Sequence, residues 1–324
     1  MLPTARRTAS APFLLLVLPA AAVCQWPPDS LTNLQVLPEA TPVNELVGVM
    51  AGFTRALGVR CSHCHVGEEG RPLATYDFAS DEKALKQKAR VMLRMVRRLN
   101  DELTAELPER AAPPIEVQCF TCHRGVQEPR TLQAILIAAY DTGGIDSTLA
   151  AYRALRERYY GRAAYDFGEV ALADVADDLD RRGHLADAVA LGALNVAVNP
   201  ASGFAKRGHA SAAIALAYRD AVDEGAARYH RILALYGDRV VTEGLLNQLG
   251  YRLLREGRAG AAVDVFELNV GRHPDSWNAY DSLGEGYVAA GDTTRAVASY
   301  QRSLELNPGN ANGAERLRVL SDRR

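Results

Sequence analysis

The sequence predicts an all-α protein in two parts: a small domain of helix–turn–Cys-x-x-Cys-His units, followed by an α-solenoid of helical hairpins. Three observations predict this fold. Alanine, leucine and arginine are abundant while aromatic residues make up 7% of the chain, a bias that favours helices. Apolar residues recur at helical spacing ahead of each cysteine pair. The C-terminal part repeats itself with a constant shift of 34 residues, which indicates stacked supersecondary units.

The length and composition are those of an ordinary soluble protein with more than one domain. A chain of 324 residues is long enough for two cores. Hydrophobic residues make up 48% and charged residues 23%, within the range of globular proteins. The net charge of -2 gives no argument for binding nucleic acid or an anionic membrane surface. We expect a signal peptide at 1–24, a Cys-x-x-Cys-His domain at 25–130, a helical connector at 131–165 and a repeat domain at 166–324.

The N-terminal segment predicts export. Arg6 and Arg7 precede an apolar run at 11–23 that ends in small residues. This run is too short for a membrane span and is typical of a Sec signal peptide. We therefore expect a periplasmic or otherwise exported protein. Cys24 stands where a bacterial lipoprotein carries its lipid, although Val23 is larger than the residue such sites usually have. A lipid anchor and a plain spacer cysteine both stay open, and this anchor is the one membrane contact we expect.

Two amphipathic helices are predicted in the first domain. Residues 42–57 place apolar side chains on one face, and Gly58 is expected to end this helix at its C-terminal cap. A longer helix is expected over 80–107, begun by Ser80 or Asp81 with acidic residues in its first turn. Pro108 and the Ala-Ala-Pro-Pro run at 111–114 break it. Its apolar stripe consists of Leu85, Ala89, Met92, Val96, Leu99 and Leu103.

The five cysteines form two Cys-x-x-Cys-His units and leave Cys24 over. Covalent haem attachment uses every one of these residues, because both thiols add to the haem vinyl groups and the histidine then ligates the iron. A four-cysteine zinc site needs pairs separated by roughly 15–20 residues, and disulfides within each pair give the histidines no role. A thioredoxin-type pair needs a βαβ pattern that the chain lacks. We therefore expect two covalently attached haem c groups, on Cys61, Cys64 and His65 and on Cys119, Cys122 and His123.

Three methionines are the candidates for the sixth iron ligand. Met50 lies eleven residues before Cys61, with Gly58 between them to let the chain turn back. Met92 is central in the apolar stripe of the second helix and Met95 lies at its margin, so Met92 is the better candidate. A methionine on an apolar helix face is, however, more often core filler than a ligand. The other histidines are His63, which lies within the first unit, and His184, His209, His230 and His273, which lie in the repeat domain.

The C-terminal repeat resembles the tetratricopeptide repeat. Leu249-Gly250, Ala262, Phe266 and Pro274 recur as Leu283-Gly284, Ala296, Tyr300 and Pro308. A small residue on the first helix, alanine on the second and a closing proline are typical of that repeat. A fainter copy ends at Pro200, residues 201–238 keep the pattern poorly, and residues 312–320 are expected to form a capping helix. Such arrays usually hold a peptide or protein partner.

Residues 30–130 resemble one dihaem half of the cytochrome c subunit of photosynthetic reaction centres. The resemblance rests on Leu-Gln-Val-Leu at 34–37, Met-Ala-Gly-Phe-Thr-Arg-Ala-Leu-Gly-Val at 50–59, Ala-Arg-Val-Met-Leu-Arg-Met at 89–95, Leu-Asn at 99–100 and Cys-Phe-Thr-Cys-His-Arg-Gly at 119–125. It implies that Met50 and Met92 ligate the two irons. The chain departs from the family in having two units instead of four and no histidine near Glu106. The photosynthetic role of the family does not carry over.

These observations predict an electron carrier that exchanges electrons with redox partner proteins, rather than an enzyme. Iron with histidine and methionine as axial ligands has no open position for a substrate. Two other functions stay open: a dihaem peroxidase-like enzyme in which one iron lacks its methionine, and a repeat scaffold protein with auxiliary haems.

Overall fold

The computed structural model describes residues 31–107 and 116–321. The expected signal peptide, Cys24 and the breaker residues at 108–114 lie outside the described residues. The chain forms two compact units, residues 1–129 and 130–324, each described by itself below. None of the described helices has the length and apolar character of a membrane span.

The first helix of unit 1 follows the sequence prediction. Helix α1 runs over Val43–Leu57, with Pro42 at its N-cap. Gly58 closes it in the left-handed region, with φ at 66°, a conformation that glycine adopts without the steric cost of a Cβ. The chain then turns directly into the first cysteine pair, which begins in a 3₁₀ turn at Cys61–His63.

The second helix starts later than the sequence predicts. Helix α2 spans Ala84–Glu106 and has no acidic residue in its first turn, so the expected start at Ser80 or Asp81 is wrong. The reason is tertiary. The Lys86 ammonium donates hydrogen bonds to the carbonyl oxygens of Phe78, Ala79 and Ser80 at 3.0, 2.9 and 2.8 Å. Those carbonyls are thereby held in a turn outside the helix.

Unit 1 buries very little apolar surface among its described residues. Its buried apolar side chains there are Ala56 and Val126. The stripe of α2 points instead to solvent, because Leu85, Met92 and Leu99 are 37%, 37% and 38% exposed. Since a domain normally has its own hydrophobic core, the apolar faces of unit 1 are suited to packing against a large apolar group.

The third helix of unit 1 holds the second cysteine pair. Helix α3 spans Cys119–His123 and packs on α1. The backbone N–H of Gly125 donates a hydrogen bond to the Ala56 carbonyl at 2.8 Å. The two Cys-x-x-Cys-His units are therefore parts of one packed module.

Unit 2 is a stack of helical hairpins. Helix α4, Leu132–Tyr159, consists of two segments that are interrupted at Gly143 and Gly144. Both segments pack in one apolar cluster with the first hairpin. The hairpins that follow are α5 Glu169–Arg181 with α6 Leu185–Val198, α7 Gly203–Asp220 with α8 Val222–Tyr236, α9 Glu243–Arg255 with α10 Ala259–Arg272, and α11 Trp277–Ala289 with α12 Thr293–Leu306. Helix α13, Ala311–Ser321, ends the stack as the predicted cap.

The 34-residue period is visible in the helix starts. The first helix of each hairpin begins at Glu169, Gly203, Glu243 and Trp277, and the cap begins at Ala311. These starts are 34 residues apart except between α7 and α9, where the step is 40 residues. The longer second hairpin explains why residues 201–238 keep the pattern poorly.

Two side-chain features fix the hairpins. A Cβ at Gly250 would lie 2.3 Å from the Phe266 ring, and one at Gly284 would lie 2.8 Å from the Tyr300 ring. The repeat therefore needs glycine where an aromatic residue of the second helix meets the first. In addition, a polar side chain of the second helix donates to the first carbonyl of its partner helix. These bonds are Asn195 to Glu169 at 2.8 Å, Asn269 to Glu243 at 3.2 Å and Ser303 to Trp277 at 2.8 Å.

Candidate functional site

The first Cys-x-x-Cys-His unit is a tight turn. The backbone N–H groups of Cys64 and His65 donate to the Cys61 carbonyl at 3.2 and 3.0 Å. Both thiols are free and partly buried. Burial raises the pKa of the Cys64 thiol, because desolvation disfavours the thiolate. The turn therefore presents two thiols and one imidazole on a short arc of backbone.

An aromatic loop supports His65. After the motif the chain returns through a backbone bond from the Asp77 N–H to the Val66 carbonyl at 2.9 Å. Tyr76 stacks on Phe78 with ring centroids 5.5 Å apart, and the edge of Phe78 meets the His65 ring at 5.0 Å. These contacts set the plane of the His65 ring before any ligand is considered.

The surroundings of His65 favour its neutral form. Burial lowers the pKa of His65, and the positive charge of Lys86 lowers it further. The Lys83 ammonium also lies in this loop and donates to the Ser62 carbonyl. Neutral imidazole is the form that ligates a metal, so this environment suits a ligand histidine.

The second unit fixes the tautomer of its histidine. His123 Nδ1 lies 3.0 Å from the Val126 carbonyl oxygen. A carbonyl only accepts hydrogen bonds, so Nδ1 carries a proton and Nε2 is the ring nitrogen left to ligate a metal. Histidines that bind metals commonly have this arrangement, since the bond to the carbonyl orients the ring and makes the free nitrogen more basic. Arg124 and Gly125, with φ of 49° and 89°, turn the chain so that the Val126 carbonyl reaches the ring.

Two contacts hold the second unit against the helices of unit 1. Gly58 lies against Gly125 so closely that a Cβ at Gly58 would be 2.2 Å from the Gly125 carbonyl oxygen. The Asn100 side chain donates to the Val117 carbonyl at 2.9 Å and accepts from the Val117 N–H at 2.8 Å. The segment leading into Cys119 is thus anchored to α2, the helix that carries Met92.

The candidate methionine ligands differ in exposure. Met50 on α1 and Met95 on α2 are partly buried, while Met92 is 37% exposed in line with Leu85 and Leu99. Met92 is therefore a partly exposed side chain on an apolar helix face. The assignment of Met50 and Met92 as iron ligands stays a prediction.

The donors present fit covalent haem. All four cysteines of the two units are free thiols. Within the described residues no three His, Cys, Asp or Glu side chains gather into a metal-binding cluster. Thiols, a histidine with Nε2 available and exposed apolar side chains are the groups that a haem c needs. The residues that would hold the two groups are Cys61, Cys64, His65, Cys119, Cys122 and His123.

Three histidines of unit 2, His184, His209 and His230, have structural surroundings. His209 Nδ1 is bonded to the Tyr236 hydroxyl at 2.7 Å, and burial lowers the pKa of His209. His184 packs against the Tyr140 ring and His230 against the Tyr229 ring.

Sequence reasoning missed the residues that support the ligands. Phe78 and Asn100 carry no motif of their own, and Val126 acts through its backbone carbonyl. The one available signal was position, because Val126 follows His123 by three residues and Asn100 stands in the segment 99–100 that carries the family resemblance.

One part of the chain is similar to a known protein family. Residues 25–140 match the family described as photosynthetic reaction centre cytochrome C subunit. This region resembles a reaction centre cytochrome c. It is also 36% identical over 103 residues to cytochrome c-554 of Chloroflexus aurantiacus. That match covers 32% of this chain and 22% of the Chloroflexus protein, so the chain spans about a fifth of its curated relative. Similarity to this family implies covalently bound haem c.

Two solved structures have a distant similarity to this chain. MamA (residues 41 to the end) from Desulfovibrio magneticus RS-1 is 17% identical with a TM-score of 0.31, covering 49% of this chain and 86% of that one. A thermophilic TPR protein of Thermus thermophilus is 21% identical with a TM-score of 0.30, covering 58% of this chain and 96% of that one. Likenesses this distant carry no argument about function. The helical-repeat solenoid is evident from the hairpins of the chain itself.

Proposed function

We propose that the chain is an exported dihaem c-type cytochrome that carries electrons between redox partner proteins. The observation that carries this proposal is the His123 ring, whose Nδ1 proton is held by the Val126 carbonyl so that Nε2 is free within a Cys-x-x-Cys-His unit. The match of residues 25–140 to a cytochrome c family supports it. A basic start and an apolar run at the N-terminus support export to the periplasm.

At each site the chain would attach the haem, ligate its iron from both sides and shield it from water. A bound haem c supplies an iron that takes up and releases one electron. Cys61 and Cys64 hold one group through thioether bonds, and Cys119 and Cys122 hold the other. His65 and His123 provide the proximal nitrogen, one held by the Phe78 ring and the other by the Val126 carbonyl.

The methionines decide between a carrier and an enzyme. Met50 and Met92 provide the sixth ligands in this proposal. A neutral sulfur in the sixth position raises the reduction potential and leaves no vacancy for peroxide or oxygen. The exposed apolar side chains of α2 would pack on a bound haem and exclude water from it.

Haem counting and ligand replacement test the carrier function. The protein would be exported in a host that matures c-type cytochromes, and its mass and pyridine haemochrome spectrum would give two haems per chain. Low-spin ferric haem with a methionine ligand has a weak absorption band at the red end of the spectrum. We expect Met50→Ala and Met92→Ala each to remove part of this band, whereas Met95→Ala, on the same helix, keeps all of it.

Three results would contradict the proposal. The first is one haem or none per chain. The second is loss of the band in Met95→Ala but not in Met92→Ala, which would reassign the second ligand. The third is a wild-type protein whose irons are high-spin and bind cyanide or peroxide rapidly, which would favour the dihaem peroxidase-like enzyme.

The repeat unit is proposed to dock a protein partner. Two large aromatic side chains near the starts of first helices are exposed, Phe204 on α7 and Trp277 on α11, and exposed aromatic residues are typical of binding surfaces. A photo-crosslinking residue at either position of the exported holo-protein should capture a different protein. Capture of a second copy alone would instead make unit 2 a dimerisation module.

A further inference from the structure

Helix α2 carries an unusual concentration of positive charge. Between Ala84 and Arg98 it contains six lysine and arginine residues and no aspartate or glutamate, in a chain whose net charge is -2. Two of the six have internal roles. Lys86 binds loop carbonyls, and Arg90 is buried against Asp81 at 2.8 Å. The other four, Lys88, Arg94, Arg97 and Arg98, are exposed and can contact a partner molecule.

Three arginines and one valine form a single surface, here called the arginine face. Val91, Arg94, Arg97 and Arg98 line one open concavity on α2. All four are exposed, Val91 to 55%. None of the three guanidinium groups forms an ion pair with a residue that the structure describes. The face therefore combines three arginines that form no ion pair with a described residue and one exposed apolar side chain at its N-terminal end.

The arginine face lies on the opposite side of α2 from the Met92 stripe. At 3.6 residues per turn, Arg94 is about 200° round the helix from Met92. A helix that binds a lipid surface places its cations along the borders of its apolar stripe. Lys88 lies at such a border, whereas Arg94, Arg97 and Arg98 lie away from it. Arginine beside an apolar side chain is instead typical of protein interfaces.

We infer that the arginine face is the docking site of an acidic redox protein. The inference rests on the proposed electron-carrier function. Electron-transfer complexes bury little surface and are brought together by complementary charge, which raises the association rate. A partner bound there stands one helix diameter, about 10 Å, from the side of α2 that carries Met92.

Reduction of the holo-protein by an acidic flavodoxin tests the inference. Flavodoxin hydroquinone gives one electron to a ferric iron and becomes the semiquinone, while the iron becomes ferrous. Stopped-flow absorbance gives the second-order rate constant for wild type, for R94Q/R97Q/R98Q and for the control R153Q/R231Q/R239Q. The control removes the same charge from exposed arginines of unit 2. A double variant, R97Q/R98Q, serves if the triple variant fails to fold.

The expected pattern is specific to docking. At low ionic strength the R94Q/R97Q/R98Q rate constant should fall about tenfold or more, because electrostatic steering contributes factors of that size. The control should stay within twofold of wild type. At about 1 M salt all three should converge, since charges are then screened within about 3 Å. Neutral reduced lumiflavin should reduce every variant at the wild-type rate.

The other outcomes overturn the inference in distinguishable ways. Equal flavodoxin rates for wild type and R94Q/R97Q/R98Q would show that the arginine face is not the docking site, with the carrier function intact. Equal flavodoxin rates together with lost flotation on phosphatidylserine vesicles would make it a membrane contact. A wild-type protein that neither flavodoxin nor lumiflavin reduces would refute the carrier function itself.

Discussion

The substitution Gly58→Ala tests how the two Cys-x-x-Cys-His units are joined. Gly58 ends α1 in the left-handed region, and its Cα lies against the Gly125 carbonyl. An alanine there brings two costs. The left-handed conformation costs a residue with a Cβ about 1–2 kcal/mol. The Cβ would also stand 2.2 Å from the Gly125 oxygen.

The second cost follows from how this overlap must be relieved. The backbones of Gly58 and Gly125 have to separate, and this breaks the bond from the Gly125 N–H to the Ala56 carbonyl. Such a bond contributes about 1 kcal/mol. We therefore expect Gly58→Ala to lower the free energy of unfolding of unit 1 by about 2–3 kcal/mol.

Guanidinium chloride unfolding of the holo-protein, followed by haem absorbance, measures this loss. With a slope of about 3 kcal/mol per molar, the midpoint should fall by roughly 1 M. The matched control is Gly48→Ala on the same helix. Nothing lies within 4 Å of a Cβ at Gly48, and alanine favours a helix interior by about 0.5–1 kcal/mol, so its midpoint should stay or rise. The reasoning fails if Gly58→Ala behaves like Gly48→Ala.

Three further substitutions test other parts of the structure. Asn100→Asp removes the donor to the Val117 carbonyl and should cost about 1–3 kcal/mol in urea unfolding. The Arg90 guanidinium holds the pKa of Asp81 below its usual range. The stability from this pair is therefore present above the ordinary carboxyl pKa of about 3.9 and lost as pH falls further, so Asp81→Asn should flatten the acid side of a stability–pH profile. Gly250→Ala overpacks its hairpin and should cost about 1–3 kcal/mol in thermal unfolding of unit 2.

Each of these three has a result that would count against it. Unchanged urea midpoints in Asn100→Asp would mean that the Val117 bond does not anchor the segment before Cys119. Parallel pH profiles for wild type and Asp81→Asn between pH values of roughly 2 and 6 would remove the ion pair from the stability of unit 1. For Gly250 the control is Gly260→Ala, where a Cβ meets nothing within 4 Å, and equal losses in the two variants would refute the packing argument.

The parts of the fold that the sequence predicts are those determined by local chemistry. Gly58 could be placed at the end of α1 because few residues adopt a positive φ without cost. The hairpins α9–α12 could be placed because Gly250 and Gly284 recur opposite aromatic residues. The start of α2 could not be predicted in this way. Ser80 and Asp81 are residue types that commonly cap helices, but here Asp81 forms an ion pair with Arg90 instead.

The candidate site divides in the same way. The cysteines and histidines could be singled out as candidates because covalent haem attachment requires their spacing. Their supports could not, because the group that sets the tautomer of His123 is a backbone carbonyl, which any residue at position 126 would provide. The support of His65 by Phe78 depends on a loop of thirteen residues folding back, and no periodicity in the sequence predicts that return.

The hydrogen bond that recurs within the hairpins has a consequence for how unit 2 unfolds. The side chains of Asn195, Asn269 and Ser303 each donate a hydrogen bond to the carbonyl of the first residue of their hairpin, 26 residues earlier. In the second hairpin the corresponding residue is Tyr229, 26 residues after Gly203, and the described structure has no such bond there. The stability of a repeat array is approximately the sum of the stabilities of its repeats and of the interfaces between neighbouring repeats. A less stable hairpin is therefore the place where the array stops unfolding as one cooperative unit. We expect hydrogen exchange to find the least protected amides of the array in α7 and α8, dividing it into two foldons whose boundary lies within the stack rather than at its ends.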